Sequence, residues 1–425
     1  MGQRARHQAH RCGARPPRSA RRLAGGRGPR RPGRRAAGRA RPPAPHPTGD
    51  RVEPGGLPGG DHRGGRGAAG HRGPRPTALH GHGLTTPPTT TPTQEGAHLM
   101  AEIVFGAGTS HSPLLAAPPT LWAERADQDR HNPELYDNEG VIRSFDDLAA
   151  RADGRFAEQM TMAAWEENWQ RCQTALDRLR EDFRAAAPDV VLIVGDDQRE
   201  LFTETNQPAM AISAAAEMKT GLLDDHDSEF LKEAAHSYLM DQEFTFRGHA
   251  QLAEDLARGL MDENIDIGWM TGAPPGTGFG HAYGFPIHRF LLPDPVPVIP
   301  FMLNTYYPPN QPTPRRCFQL GRALRAAAAA SPLDLRIAVL ASGGLSHFVV
   351  DEQLDRRVLD AIENKDAETL CTIPTELLNS GSSEIRNWIT IAGAMEGRDV
   401  RWSEYVPIVR SAAGTGCAMS FVSWT

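Results

Sequence analysis

The chain has 425 residues and a formal charge of −6, but that figure joins two unlike parts. Residues 1–99 hold 19 Arg, no Lys and four acids, a net of +15, while residues 100–425 carry 27 basic against 48 acidic groups and stand at −21. The acidic body excludes nucleic acid as a partner of the folded part, no run of 18 apolar residues offers a membrane span, and five scattered cysteines without a CxxC argue for a reducing cytoplasm rather than a disulfide or thiolate-metal scaffold.

In chain order, the Gly/Pro/Arg-rich stretch 1–99 comes first, ending in "TTPPTTTPTQ". It has too little apolar periodicity to offset the entropy of ordering, so it reads as a disordered tail. Met100 opens "MAEIVFGAG" like an ordinary protein start, which makes 1–99 readable as non-native upstream translation; the competing reading is a basic arm that neutralises phosphates. Residues 100–425 are enough for one large domain.

"EIVFGAG" is a short strand. Residues 160–187 have helical spacing, with Trp165, Trp169, Cys172, Leu176 and Leu179 on one stripe, and Pro188 ends them. "VVLIV" follows, a β-branched run suited to a strand covered on both faces. "AQLAEDLARGLMDE" is an amphipathic helix, followed by "IDIGWM" and then "PVPVIPFML", a strand entered through proline. "RRCFQLGRALRAAAAA" is a helix leading into the buried strand "RIAVLAS", and "LDRRVLDAIENKD" and "EIRNWITIAGAME" close the set. This alternation predicts a single large α/β domain with a central, mostly parallel or mixed sheet flanked by helices.

In such sheets ligands bind beyond the carboxyl ends of the strands. Four of those ends carry polar groups: Gly106-Ala107-Gly108-Thr109-Ser110-His111, Gly195-Asp196-Asp197-Gln198, Asn304-Thr305-Tyr306-Tyr307 and Ser342-Gly343-Gly344-Leu345-Ser346-His347. His111 and His347 are the leading candidates, because imidazole serves both as metal ligand and as acid/base near neutral pH. "GFGHAYGF" adds His281, equally readable as a hydrogen-bonded turn residue. Glu384 stands at the start of a helix, where an acid also complements the macrodipole, and Asn387 lies one turn on, placed to brace it. Two imidazoles and a carboxylate with open positions describe a non-haem Fe(II) site. Residues 100–425 hold no GxSxG elbow, P-loop or GxGxxG fingerprint.

Together "GAGTSHSPLL", "PDVVLIVGDDQRELF", "GFGHAYGF", "NTYYPPNQPTPRRCFQLGRAL", "ASGGLSHFVVDEQLDRRVLDAI" and "LLNSGSSEIRNW" resemble the class III extradiol ring-cleavage dioxygenases, the group of the protocatechuate 4,5-dioxygenase β subunit. Within that group the chain is most similar to the 3-O-methylgallate dioxygenase branch. The resemblance runs from about residue 100 to the C-terminus. It implies extradiol cleavage of a catecholic or gallate-type ring by Fe(II) and dioxygen, with His111 and Glu384 as metal ligands, His347 as acid/base and His281 in contact with substrate. The second ligand departs from the pattern. Where an imidazole is expected after the second strand, this chain has Gln198, so Gln198 ligates, Asp196 or Asp197 takes over, or His226, His236 or His249 swings in. A substrate carboxylate would meet Arg315, Arg316, Tyr306 or Tyr307. A homo-oligomer is compatible with these features. The rival functions are a hydrolase on the same scaffold and a non-catalytic aromatic-binding protein.

Overall fold

The computed structural model describes residues 100–223 and 228–425. The tail readings for 1–99 and the candidate His226 fall outside the described residues. Ten strands are present among them: β1 (Glu102–Thr109), β2 (Val190–Asp196), β3 (Met210–Ser213), β4 (Glu217–Lys219), β5 (Thr245–Arg247), β6 (Gly268–Met270), β7 (Val298–Leu303), β8 (Arg336–Ser342), β9 (Val400–Val409) and β10 (Gly416–Trp424). Eight of them form one sheet in the order β6-β3-β7-β2-β8-β1-β10-β9, and β4 and β5 form a separate antiparallel pair. The predicted α/β architecture with a mixed sheet is what the chain adopts.

The four central strands β7, β2, β8 and β1 are all parallel. Their register brings the carboxyl ends level: Thr109 pairs with Ser342, Val194 with Ala341, and Asp196 with Leu303. Beyond the last pair, the Gly343 N–H still donates to the Thr109 carbonyl at 3.0 Å. Strand periodicity then sorts the side chains of β2 into two layers. Val190, Leu192 and Val194 join one core with the helices Ala250–Asp262, Pro314–Ala330 and Ile385–Ala394. Val191 and Ile193 join the other, under the helix Met162–Ala186. Both faces of β2 are thus covered, as its unbroken β-branched run requires. On Met162–Ala186 the predicted stripe is buried at Trp165, Cys172, Leu176 and Leu179, while Trp169 is only half-buried.

β9 and β10 lie beyond the predicted set, and they run antiparallel on the β1 side of the sheet. β10 is buried along all nine residues, so its sequence shows no alternation.

The helix Ile385–Ala394 is buried at every position and is bolted to the end of β8. Trp388 Nε1 donates to the Gly343 carbonyl at 2.8 Å, and Asn387 Nδ2 donates to the Ser342 carbonyl at 2.9 Å. Gly108 makes room for this, because a Cβ there would collide with the Trp388 ring. Gly108→Ala therefore forces the ring off the Gly343 carbonyl. The expected cost is about 1–3 kcal/mol, read as a lower urea midpoint at an unchanged slope; a variant as stable as the parent would show that this contact gives way freely.

Candidate metal centre and cavity

A cavity of about 250 Å³ opens at the carboxyl edge of the sheet. His111, Gln198, His281, His347 and Glu384, drawn from five separate segments, all line it.

His111 follows β1, where the Tyr238 hydroxyl donates to its carbonyl at 2.9 Å. Its Nδ1 lies 2.9 Å from Ser342 Oγ at the end of β8, which turns Nε2 toward Glu384 Oε2 at 3.4 Å. Glu384 ends a 3-10 turn (Ser380–Glu384) that leads straight into the buried helix Ile385–Ala394. Its carboxylate is 1% exposed, accepts a hydrogen bond from the Gly344 N–H at 2.7 Å, and has His347 Nε2 3.4 Å away on its other oxygen. Burial opposes its charge, but His347 and His111 outweigh that and hold the carboxyl well below the ordinary range. Asn387 does not brace it: its amide nitrogen is spent on the Ser342 carbonyl and its Oδ1 has no partner.

His347 sits in the loop after β8, its Nδ1–H donating to the Leu345 carbonyl at 2.9 Å. That bond fixes the tautomer and leaves Nε2 to the cavity. Its ring packs so closely on Gly381 that a Cβ there would overlap it. Burial lowers the affinity of this imidazole for a proton, yet the neighbouring Glu384 carboxylate raises it well above the ordinary histidine value.

His281 begins the helix His281–Pro286 and presents an edge to His111, with ring centroids 4.7 Å apart. Its Nδ1–H donates to Glu200 Oε1 at 2.6 Å. Burial pulls the imidazole down, but Glu200 prevails and lifts it to about 9. The pair fixes both the tautomer and the orientation of the ring. Sequence reasoning missed Glu200, which lies in "GDDQRELF" beside two other acids and has no local mark to set it apart from a solvated loop carboxylate.

Gln198 reaches the cavity with its amide nitrogen, 3.0 Å from Asp196 Oδ2, 3.5 Å from Glu384 Oε1 and 3.4 Å from His281 Nε2. Asp196, the last residue of β2, is buried, and burial together with the Glu384 charge raises its carboxyl above the ordinary value. Donor atoms of His111, Asp196, His281 and Glu384 all lie within 4.8 Å of one another. Asp197 instead accepts backbone N–H groups of Arg199, Leu201 and Phe202 and shapes the loop; burial, then repulsion from Glu200, lifts it to about 7.

The other proposed donors lie elsewhere. His236 pairs with Asp241 at the surface, and His249 accepts the Leu252 N–H as a helix cap. Of the expected carboxylate partners, Tyr306 lines the cavity, while Arg315 pairs with Glu368 and Arg316 donates to the Asn264 carbonyl. The cationic groups on the cavity wall are Arg125 and Arg410, which sequence reasoning missed because Arg125 lies within the helix Trp122–Asp129 and Arg410 follows β9, a strand outside the predicted set. Arg410 is committed to Asp129 through two bonds of 2.7 and 2.9 Å; Arg125 donates to Gln128.

Comparison with known proteins agrees with this geometry. A family model described as the catalytic LigB subunit of aromatic ring-opening dioxygenase matches residues 159–417, more than half of the chain. A gallate dioxygenase of Pseudomonas putida (strain KT2440) is 29% identical over 181 residues, which is 39% of this chain and 52% of that protein. The chain thus spans about half the length of this curated relative.

The His281–Glu200 pair is open to direct measurement. In metal-free protein, Glu200→Gln removes the charge that raises the His281 imidazole and leaves the burial that lowers it. Its titration midpoint, followed by NMR of the imidazole, falls by more than one pH unit from about 9. An unmoved midpoint would mean that Glu200 does not set its charge.

Proposed function

The chain belongs to the family of the catalytic LigB subunit of aromatic ring-opening dioxygenase, and from that premise we propose that residues 100–425 form a non-haem Fe(II) extradiol dioxygenase of catecholic or gallate-type rings. The observation that carries this reading is the position of Glu384. A carboxylate 273 residues from His111 in the chain lies buried between His111 and His347, 3.4 Å from each. The gallate dioxygenase relative supports the substrate class, and a cavity below the roughly 300–1,000 Å³ of drug-sized ligands suits a single-ring substrate.

The donor set fits a divalent ion. Imidazole nitrogens and carboxylate oxygens converge from separate elements, and the buried Asp196 Oδ1 has no hydrogen-bond partner. His111 and Glu384 would be two of its ligands, with a third from the end of β2, where the family resemblance points to Gln198. Bound there, Fe(II) supplies the redox and templating chemistry that couples a closed-shell ring to dioxygen.

The chain's own groups do the rest. With the Glu384 carboxylate taken up by a metal, the charge that keeps His347 protonated is withdrawn, and Nε2, with the Nδ1 proton held by the Leu345 carbonyl, can then take a phenolic proton and return it later in the reaction. His281, held by Glu200, lines the cavity and contacts the substrate there. Arg125, half-buried and without a carboxylate within ion-pair distance among the described residues, is the cation suited to a ring carboxylate. The four described cysteines are free, in keeping with a reducing cytoplasm; no helix among the described residues is long and apolar enough to cross a membrane.

Gln198 is the feature that favours the rival readings, a hydrolase or a non-catalytic binding protein. Oxygen uptake decides among them. Protein reconstituted anaerobically with Fe(II) consumes oxygen with gallate-type catechols, loses this on chelation and regains it with Fe(II). Ester hydrolysis without stoichiometric iron, or tight aromatic binding without oxygen uptake, overturns the proposal. His347→Ala keeps iron and loses turnover by about 10²–10⁴-fold; loss of iron instead would make His347 a ligand.

A further inference from the structure

We propose that Asp196, and not Gln198, is the third protein ligand of the metal, so that the ion is held by one imidazole and two carboxylates from His111, Asp196 and Glu384. In this arrangement Gln198 is a positioning residue whose amide hydrogen-bonds the carboxylates. The inference rests on the metal-dependent reading above and departs from the ligand that the family resemblance implies.

Placement comes first. Asp196 is the terminal residue of β2, in register with Leu303 of β7, and so occupies the carboxyl edge at the end of a buried central strand. It is 2% exposed, and its carboxylate belongs to the group of donor atoms within 4.8 Å of one another, together with His111, Glu384 and His281, the last of which is held by Glu200. Gln198 lies two residues further on, in the loop that follows the strand.

The hydrogen bonds point the same way. Asp196 Oδ2 accepts from Gln198, but Oδ1 is buried with no partner at all. A buried carboxylate oxygen left unpaired is costly, and in native proteins such an atom calls for a missing ion or water. The Gln198 side chain is oriented by two acceptors, Asp196 Oδ2 and Glu384 Oε1. Turning the amide over to present its oxygen to a metal would set that oxygen against both carboxylates. The amide nitrogen that faces the site has no free lone pair to give.

Chemistry supplies the third argument. A carboxylate is a stronger donor to a hard divalent cation than a neutral amide, and two of them balance its charge in a buried site. Such an oxygen-rich set also accepts Mn(II), which gives a probe independent of turnover.

The full chain, stripped of metal, is titrated with Mn(II), and free Mn(II) is followed by EPR. Asp196→Asn weakens binding at least about tenfold more than Gln198→Ala, which loses only a supporting amide and costs about 10–100-fold. A loss in Gln198→Ala equal to or larger than that in Asp196→Asn overturns the inference, as does parental affinity in a folded Asp196→Asn. Should Asp196→Asn not fold by circular dichroism, Gln198→Ala decides alone, and a loss beyond about 100-fold overturns the inference. A parent chain that binds Mn(II) with this pattern but consumes no oxygen when loaded with Fe(II) defeats the dioxygenase reading and leaves the ligand assignment standing; turnover with the opposite mutant pattern does the reverse.

Discussion

The burial of one carboxylate, Glu384, organises the functional edge of this protein. A charged group with 1% exposure is tolerated only when its surroundings compensate the lost water. Here compensation comes from two histidines and the Gly344 N–H, and each of those depends on something further back. His111 is oriented by Ser342, His347 by the Leu345 carbonyl, and Glu384 itself by a helix pinned to β8 through Trp388 and Asn387. The site is therefore held from the parallel strands outward rather than by its own loops. This is the rigidity that a metal centre or an acid/base pair needs to keep sub-ångström geometry.

Much of this was legible in the sequence, for reasons that differ by element. β2 and β8 were readable because a strand covered on both faces becomes a continuous apolar run, and the helix Met162–Ala186 because one stripe of large side chains repeats at helical spacing. β9 and β10 were not. Prolonged burial erases the alternation of β10, and β9 carries Pro407 on its edge. In the site, the glycine-rich strand ends gave away His111 and His347, since only a few residues can follow a strand at the carboxyl edge. The partners that set their charge were harder to see. Glu200 and Arg125 act through space, and no local pattern separates an acid that grips an imidazole from one that solvates a loop. Asn387 shows the converse: its spacing from Glu384 was right for support, but the nearby Ser342 carbonyl was the better-placed acceptor.

Charge of both signs borders the cavity. On the β2 side Asp196, Asp197, Glu200 and Glu384 crowd together, relieved by His281 and by the Gln198 amide. Arg125 and Arg410 also line the cavity and bring positive charge, the latter matched by Asp129. The cavity thus has acidic groups that can hold a cation and a cation, Arg125, that can meet an anion.

The pairing of β1 with β10 has a consequence for biosynthesis. Ser110 and Ser420 exchange hydrogen bonds of 3.0 Å, one through the Ser110 hydroxyl, and Cys417 at the start of β10 forms part of the cavity wall. Strands separated by some three hundred residues must meet before either is covered, which is a slow closure for a nascent polypeptide. On the ribosome β1 would wait, with one edge exposed, until β10 has emerged. Loss of β10 would bare that edge of β1 and open the cavity wall at Cys417.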